Sequence, residues 1–203
     1  MDRNRLIPVV VIDDAAKAVD LAGALLEGGL DVIEITFRTA AAPEAIQRIA
    51  NACPEMVVGA GTLLEPDQVK QASDCGARFG LAPGLDPHIV GIASDIEFDF
   101  IPGIAIPSEV QSALKLGCRV QKFFPAEQMG GAAFIKALEG PYAHTGVRFV
   151  PTGGLNADNV ASYLAVKSVM AVGGSWFVDK KYINANDWAT ITRLTREALA
   201  ALR

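Results

Sequence analysis

Lys122 lies near the end of a short apolar segment, residues 120–124, which is followed directly by Pro125. Such a segment is typical of a buried strand, because it is apolar and too short to form a helix. Burial of an ammonium group costs free energy, and the usual relief is a lowered pKa or an ion-pair partner. A lysine with a lowered pKa is a nucleophilic amine of the kind that forms Schiff bases. The alternative is that Lys122 extends from the strand end into water.

A second group of polar residues, Glu34, Thr36 and Arg38, alternates with apolar residues along a predicted strand. Alternate side chains of a strand share a face, so the three are predicted to point into the interior of the fold. A carboxylate and a guanidinium inside a core are costly unless they are paired or functional. We therefore predict that Glu34 carries protons and that Arg38 binds a carboxylate with two hydrogen bonds. The alternative is a structural ion pair between Glu34 and Arg38.

Small residues end several other predicted strands. Residues 59–62 read Gly-Ala-Gly-Thr, where a ligand could approach the main chain and Thr62 could donate a hydrogen bond. Two further strands end in residues 152–154 (Thr-Gly-Gly) and 173–175 (Gly-Gly-Ser). Main-chain N–H groups in such loops, beside a helix N-terminus, are suited to holding a phosphate dianion. The alternative is that these segments are ordinary glycine-rich turns without a ligand.

The elements that carry these residues alternate between strands and helices along the chain. Eight strands are predicted, at residues 7–12, 31–37, 56–59, 77–82, 98–101, 120–124, 147–150 and 169–172. Most of the intervening helices are predicted from their first residues, which lie near Asp14, Pro43, Pro66, Asp86, Pro107 and Asn156. Two more are predicted from an apolar face, one around residues 132–138 and a last one that carries Trp188. Alternation of this kind indicates a parallel sheet.

The number of units predicts the fold class. Eight strand–helix units, spaced about 20–25 residues apart, favour a single (β/α)8 TIM barrel that occupies the whole chain, residues 1–203. The active site of such a barrel lies at the carboxyl ends of the strands, where the polar residues occur. A doubly wound open sheet is the alternative, but it would normally have fewer strands and one glycine-rich phosphate loop near its start.

Composition excludes several classes of function. The net charge is −5 without a basic cluster, which argues against a nucleic-acid partner. The two histidines are too few for a metal site built on several imidazoles, and nothing points to a carboxylate-held Mg²⁺, so we predict no metal and no cofactor. The three widely spaced cysteines suggest reduced thiols in the cytoplasm. No apolar run is long enough to span a bilayer, and no signal peptide is recognised, so no membrane association is expected.

Five segments in this order resemble the class I aldolase family that contains 2-dehydro-3-deoxy-6-phosphogluconate (KDPG) aldolase and 4-hydroxy-2-oxoglutarate (KHG) aldolase. They are residues 34–39, 59–62, 122–127, 151–154 and 173–176. The resemblance extends from about residue 8 to the last helix. It implies cleavage of KDPG to pyruvate and glyceraldehyde 3-phosphate, the late step of the Entner–Doudoroff pathway. It also implies KHG as a second substrate, whose cleavage yields pyruvate and glyoxylate.

The resemblance also assigns roles to individual residues. Lys122 would form the Schiff base, and Glu34 would be the general acid and base. The remaining assignments concern binding: Arg38 and Thr62 for the pyruvyl carboxylate, Pro83 for the pocket wall, Thr152 for the substrate hydroxyls, and Gly153, Gly154, Gly174 and Ser175 for the phosphate. Members of the family are typically cytoplasmic homotrimers that need no metal. Many have a longer N-terminal helix that closes the bottom of the barrel, whereas this sequence begins close to its first strand.

Three alternatives use the same residues. A sister aldolase would act on the galactonate epimer, although residues 38–39 and 152–154 favour the gluconate form. A phosphate-binding barrel isomerase would use Glu34 as its base and Lys122 only for its charge, so it would form no covalent adduct with pyruvate. A phosphosugar-binding protein without catalysis would have no need for Lys122 and Glu34 to face the same cavity.

Overall fold

The computed structural model describes residues 5–202 and has an α/β architecture in which parallel strands alternate with helices. The strands are β1 (Leu6–Val10), β2 (Val32–Thr36), β3 (Val57–Gly61), β4 (Phe79–Leu81), β5 (Asp99–Ile101), β6 (Gly103–Ile104), β7 (Val120–Phe123), β8 (Arg148–Pro151) and β9 (Val172–Gly174). The α-helices are α1 (Ala18–Gly28), α2 (Ala42–Ala52), α3 (Pro66–Asp74), α4 (Pro87–Asp95), α5 (Pro107–Lys115), α6 (Gly131–Tyr142), α7 (Val160–Leu164), α8 (Lys180–Asn184) and α9 (Trp188–Ala200).

The strands form a curled parallel sheet of six strands and a second sheet of three. The first has the order β5-β4-β3-β2-β1-β9, and the second has the order β6-β7-β8. Two isolated parallel bridges, Phe149 to Val169 and Thr152 to Gly173, connect the β8 region with the β9 region. Only Pro102 separates β5 from β6, so the chain passes directly from one sheet to the other.

Helix starts follow the local signals that the sequence carries. Asp14 accepts a hydrogen bond from the N–H of Ala16 and begins a short 3₁₀ helix, Ala15–Lys17, that leads into α1. Asp86 caps α4 in the same way through the N–H of His88. Proline lies in the first turn of α2, α3, α4 and α5, where its missing N–H is not needed. The predicted helices therefore occur, with boundaries shifted by a few residues.

The strand predictions need two corrections. The predicted fifth strand ends at Ile101, as β5 does, but beyond Pro102 the chain continues as an additional strand, β6, which pairs with β7. Pro102 resembles a strand end in the sequence since it cannot donate to a ladder. The predicted eighth strand, at residues 169–172, is instead β9 at Val172–Gly174. Its glycines belong to the strand because neighbouring side chains occupy the space that a Cβ would need.

The helices show two further differences. The helix expected from Asn156 begins only at Val160, because the Asn156 side chain accepts hydrogen bonds from the N–H groups of Asp158 and Asn159 and forms a turn. The short helix α8 is not predicted from the sequence.

Burial follows the parallel architecture. All five residues of β2 are buried, as expected for a strand with helices on one side and a packed interior on the other. This arrangement accounts for a hydrophobic content of 51%. None of the helices within residues 5–202 is long and apolar enough to cross a membrane.

Candidate active site

Lys122 and Glu34 meet in the interior of the structure. Lys122 lies in β7 and Glu34 in β2, and the Lys122 Nζ is 3.3 Å from the Glu34 Oε1. Their side chains are only 5% and 1% exposed, so Lys122 does not extend into water. The pairing offsets part of the desolvation cost of both charges. Glu34 is thus paired with Lys122 rather than with Arg38, and the alternative of a Glu34–Arg38 ion pair is wrong.

Gly61, the last residue of β3, makes room for this ion pair. A Cβ atom at Gly61 would overlap the Oε1 of Glu34, the same oxygen that faces the Lys122 ammonium group. Gly61 is the register partner of Thr36 in the neighbouring strand. The last residue of β3 must therefore be a glycine if the Glu34 carboxylate is to keep its place, whatever the turn that follows requires.

Thr62 follows Gly61 with a left-handed backbone, at φ 59°. This conformation is unfavourable for a β-branched residue, and residues with a strained backbone cluster at functional sites. Thr62 is half-buried and directly follows Gly61, whose lack of a side chain leaves room for the Glu34 carboxylate. Its backbone conformation places a hydroxyl-bearing residue at the carboxyl end of β3 despite the steric cost.

Arg38 is not in the interior, which corrects the prediction from the alternating pattern. Strand β2 ends at Thr36, whose Oγ1 donates to the Val10 carbonyl at 2.9 Å. The chain then turns, and Thr39 donates to the Ile12 carbonyl at 2.6 Å. These two bonds tie the turn to the chain around the end of β1, and the turn breaks the strand alternation. Arg38 lies in this turn and is exposed, beyond the buried Glu34 on the same segment.

Pro83 approaches the strand next to Lys122. A Cβ atom at Gly103 would overlap the main-chain carbonyl group of Pro83, and Gly103 is the register partner of Lys122. Directly after the end of β7, the ring of Phe124 lies with its centroid 5.7 Å from the Lys122 Nζ. The Phe124 ring is therefore close to the amine, and the Pro83 main chain packs against the strand that pairs with the Lys122 strand.

Thr152 connects the Lys122 strand with β9. Its N–H donates to the Phe123 carbonyl at 2.9 Å, and the residue forms a parallel bridge with Gly173. The Thr152 Oγ1 is buried and has no hydrogen-bond partner among the described residues, and a Cβ atom at Gly173 would overlap it. A buried hydroxyl without a partner is unusual and indicates a group available to a ligand or to water.

The glycine loops after β8 and β9 are neighbours because of this bridge. Gly153 and Gly154 have positive φ angles of 102° and 80°, which only glycine adopts readily. Gly174 is buried against the ring of Trp176, and Ser175 is exposed. The four residues assigned to the phosphate therefore lie on two adjacent segments: Gly153 and Gly154 follow β8, Gly174 is the last residue of β9, and Ser175 follows it.

Two other kinds of reactive site, a metal centre and an activated thiol, are not found among the described residues. No group of three or more His, Cys, Asp and Glu side chains within residues 5–202 could hold a metal ion. The three cysteines, Cys53, Cys75 and Cys118, are free, and burial is the main cause that raises the pKa of each thiol. A thiol with a raised pKa is a poor nucleophile at neutral pH. The Lys122 amine, beside a carboxylate, is left as the nucleophile that the site presents.

The comparison with known proteins agrees with this arrangement. The family model for KDPG and KHG aldolases matches residues 1–194. The chain belongs to this family. It is 43% identical over 199 residues to a 2-dehydro-3-deoxy-phosphogluconate aldolase of Haemophilus influenzae, and the match covers 98% of this chain and 93% of that protein.

Two solved structures of aldolases are similar over nearly the whole chain. A KDPG aldolase of Legionella pneumophila, with pyruvate captured as a covalent carbinolamine intermediate, has a TM-score of 0.92 at 38% identity, covering 97% of this chain and 94% of that one. The KDPG aldolase of Zymomonas mobilis with 3-phosphoglycerate has a TM-score of 0.89 at 40% identity, covering 97% and 91%.

Sequence reasoning missed two contacts near the glycine loops. The hydroxyl of Tyr163, in α7, donates to the carboxylate of Glu127, and the Asn159 side chain donates to the Gly154 carbonyl at 3.0 Å. Tyr163 is indistinguishable from a core aromatic residue in the sequence, because its hydroxyl partner is 36 residues away along the chain. Only its position seven residues after the expected helix start could have drawn attention to it.

A separate cavity lies at the other end of the strands. It has a volume of about 450 Å³ and is lined mainly by residues at the amino ends of the strands, including Ile7, Phe79, Asp99 and Val120. Its lining within the described residues includes none of the proposed site residues.

Proposed function

We propose that the protein is a class I aldolase that cleaves KDPG to pyruvate and glyceraldehyde 3-phosphate. The observation that carries the proposal is the buried ion pair in which the Lys122 Nζ lies 3.3 Å from the Glu34 Oε1. An amine and a proton acceptor at this separation can exchange a proton directly, which is what a Schiff-base nucleophile requires. The Legionella relative, which captures pyruvate as a covalent carbinolamine, supports the same chemistry.

The proposed mechanism uses Glu34 to move each proton. Glu34 accepts a proton from the Lys122 ammonium group, and the neutral amine adds to the C2 carbonyl of the substrate. Glu34 returns this proton to the carbinolamine hydroxyl, which leaves as water, and the resulting iminium ion acts as an electron sink. The C3–C4 bond then breaks as Glu34 takes the C4 hydroxyl proton, and glyceraldehyde 3-phosphate leaves. The remaining enamine takes a proton at C3, and hydrolysis returns pyruvate and Lys122.

The binding roles follow the positions of the remaining residues. Arg38 and Thr62 would bind the pyruvyl carboxylate, each at the end of a strand that neighbours the ion pair. Pro83 would line the pocket, and the unpartnered Thr152 hydroxyl would contact the substrate hydroxyls. The phosphate would lie on the glycine loops at Gly153, Gly154, Gly174 and Ser175. The Zymomonas relative with 3-phosphoglycerate supports a phosphorylated ligand.

KHG is a second proposed substrate, because the matching family model covers both activities. KHG shares the keto-acid end with KDPG and lacks a phosphate. Cleavage of KHG would therefore use Lys122, Glu34 and Arg38 without the glycine loops. The galactonate epimer of KDPG keeps the phosphate and differs at one hydroxyl, so activity toward it would depend on Thr152.

We further propose that the whole chain, residues 1–203, forms one domain with a closed (β/α)8 barrel. The single residue between β5 and β6 and the two bridges between the β8 and β9 regions support closure of the two sheets into one ring. In the proposed barrel, β5 and β6 count as one strand. The protein would act in the cytoplasm without metal or cofactor, as a homotrimer, at the aldol cleavage step of the Entner–Doudoroff pathway.

The first test is incubation with pyruvate and sodium borohydride, followed by mass spectrometry and peptide mapping. A reduced pyruvyl adduct on Lys122 is the expected result, since borohydride reduces the iminium ion. Lys122→Met serves as the control and should give no adduct. The absence of an adduct in folded wild-type protein would contradict the Schiff-base mechanism and favour the isomerase, in which Glu34 acts as a base without covalent bonding.

The second test compares substrates. Pyruvate release from KDPG, its galactonate epimer and KHG is followed with lactate dehydrogenase, and KDPG is expected to give the highest kcat/KM. Glu34→Gln should slow release by about 10²–10⁴-fold, because proton transfer by a positioned side chain contributes that factor. An unchanged rate in Glu34→Gln would assign the proton transfers to another group.

A further inference from the structure

Tyr163 and Glu127 form a hydrogen bond between two segments that border the proposed phosphate site. Tyr163 lies in α7, is fully buried, and donates its hydroxyl proton to the Glu127 Oε1. Glu127 lies five residues after Lys122, beyond the end of β7. Burial is the main cause that raises the pKa of Tyr163, followed by the hydrogen bond to Glu127 and its charge. The hydroxyl therefore stays protonated and donates at every physiological pH.

Glu127 in turn packs directly against the glycine loop. Its N–H donates to the Gly153 carbonyl at 3.1 Å, and the preceding Ala126 donates to the Thr152 carbonyl at 2.9 Å. A Cβ atom at Gly154 would lie 2.7 Å from the Cβ and Cγ atoms of Glu127. The Glu127 side chain thus forms one wall of the loop that follows β8.

The other side of the loop is held by Asn159. Its side-chain amide donates to the Gly154 carbonyl at 3.0 Å, and its Oδ1 accepts from the N–H of Asn156. Asn159 immediately precedes α7, the helix that carries Tyr163. The loop at residues 153–154 is therefore enclosed between Glu127 and the start of α7, and the Tyr163–Glu127 bond joins these two sides.

We propose that Tyr163 and Glu127 are positioning residues that set the 153–154 loop for the phosphate end of the substrate. This inference rests on the proposed aldolase function and deepens it, because it assigns discrimination between phosphorylated and unphosphorylated substrates to a contact outside the loop. The bond acts in two ways. It fixes the wall against which Gly154 lies, and it holds the Glu127 carboxylate on Tyr163, where it cannot turn toward a bound dianion.

The test is the substitution Tyr163→Phe, which removes the hydroxyl and keeps the aromatic ring in the core. KM for KDPG is expected to rise about tenfold with little change in kcat, since one hydrogen bond to a charged group is lost. The kcat/KM for KHG should be unchanged, because KHG has no phosphate. Inorganic phosphate, titrated into each variant by calorimetry, should bind about tenfold more weakly to Tyr163→Phe than to the wild type.

Three variants separate positioning from general stability. Tyr142→Phe is the matched control, because it also removes one tyrosine hydroxyl, which donates to the Pro107 carbonyl at 2.9 Å away from the glycine loops. It should leave both substrates and phosphate binding unchanged. Glu127→Gln retains an acceptor for Tyr163 and should behave like the wild type, whereas Glu127→Ala should reproduce the effect of Tyr163→Phe. Thermal melts establish that each variant is folded at the assay temperature.

The outcomes divide the two proposals. A wild-type protein that cleaves neither KDPG nor KHG overturns the aldolase function, and phosphate titration then decides the role of the loop by itself. Equal loss of kcat/KM for KDPG and KHG in Tyr163→Phe overturns the positioning role, because it indicates damage to the Lys122 region. Unchanged KM for KDPG and unchanged phosphate binding in both Tyr163→Phe and Glu127→Ala overturn it as well.

Discussion

Lys122 and Glu34 depend on each other, because neither charge has another ion-pair partner among the described residues. Removal of one member of a buried ion pair is strongly destabilising, since it leaves an uncompensated charge. The pair therefore has two consequences at the scale of single residues. It supplies a nucleophile with an adjacent proton acceptor, and it makes the stability of the protein sensitive to any change at either position.

Lys122→Met should abolish turnover and also lower the free energy of unfolding by about 3–5 kcal/mol, because the Glu34 carboxylate stays buried without a cation. The double variant Lys122→Met with Glu34→Gln should recover part of this loss, since the remaining group is neutral. Urea unfolding of the wild type, both single variants and the double variant measures the coupling. Additive losses in this cycle would show that the two side chains do not interact in solution.

Gly61→Ala should reduce turnover severely, since the new methyl group occupies the position of the Glu34 Oε1. We expect a loss similar to that of Glu34→Gln, with the borohydride adduct on Lys122 also reduced. The matched control is Gly91→Ala in α4, where a Cβ atom meets nothing within 4 Å and the glycine is exposed. Equal activities of the two alanine variants would mean that Glu34 is free to move without affecting catalysis.

At the scale of elements, the passage from β5 to β6 determines how the site is built. β5 extends the six-stranded sheet, whereas β6 pairs with β7 and places Gly103 beside Lys122. Gly103 also lies against the main chain of Pro83 at the end of β4. The neighbourhood of Lys122 on this side is therefore formed by main-chain atoms, which cannot rotate away as a side chain would.

Gly103→Ala should lower the free energy of unfolding by at least about 1–3 kcal/mol, because the new methyl group must displace the main chain of Pro83. The neighbouring Gly84→Ala is the control, since a Cβ atom at Gly84 has open space and the residue is exposed. Urea unfolding at constant pH compares the two variants. If Gly103→Ala were as stable as Gly84→Ala, the close approach of β6 and the end of β4 would not exist in solution.

At the scale of the whole molecule, exposed apolar side chains are consistent with the proposed homotrimer. Leu64 is 53% exposed after β3, and Ile106 is 44% exposed before α5. A small cavity of about 200 Å³ lies beside Leu64 and Leu85 in the same region. A large exposed apolar residue beside a cavity, as Leu64 is, is a candidate for a contact with another copy of the chain.

Sedimentation equilibrium should give a mass three times the 21.4 kDa of the chain. Leu64→Asp should shift the distribution toward the monomer if this region lies in the interface, because burial of a new carboxylate opposes association. Ile96→Asp is the matched control, since Ile96 is 38% exposed at the end of α4, at the opposite end of the fold from Leu64. A monomer mass for the wild type would contradict the trimer.

Features of the fold that depend on adjacent residues can be predicted from the sequence, whereas those that depend on distant residues cannot. Helix starts at Asp14, Pro66 and Asp86 depend on one or two adjacent residues, so the sequence reveals them directly. Apolar segments such as residues 7–12 also indicate buried strands from adjacent residues alone. By contrast, β6 is too short and too close to Pro102 to have a pattern of its own, and its pairing with β7 depends on the path of the whole sheet.

The α/β architecture, the family and the residue types that could form a Schiff base and move protons all follow from the amino-acid sequence. Those properties reside in local patterns and in motifs of adjacent residues. The pairing of Glu34 with Lys122 and the exposure of Arg38 become visible only in the packed fold, because a turn after Thr36 interrupts the alternation that the pattern implied. The packed fold alone also reveals the Tyr163–Glu127 bond, since residues distant along the chain become neighbours only when the strands and helices have packed.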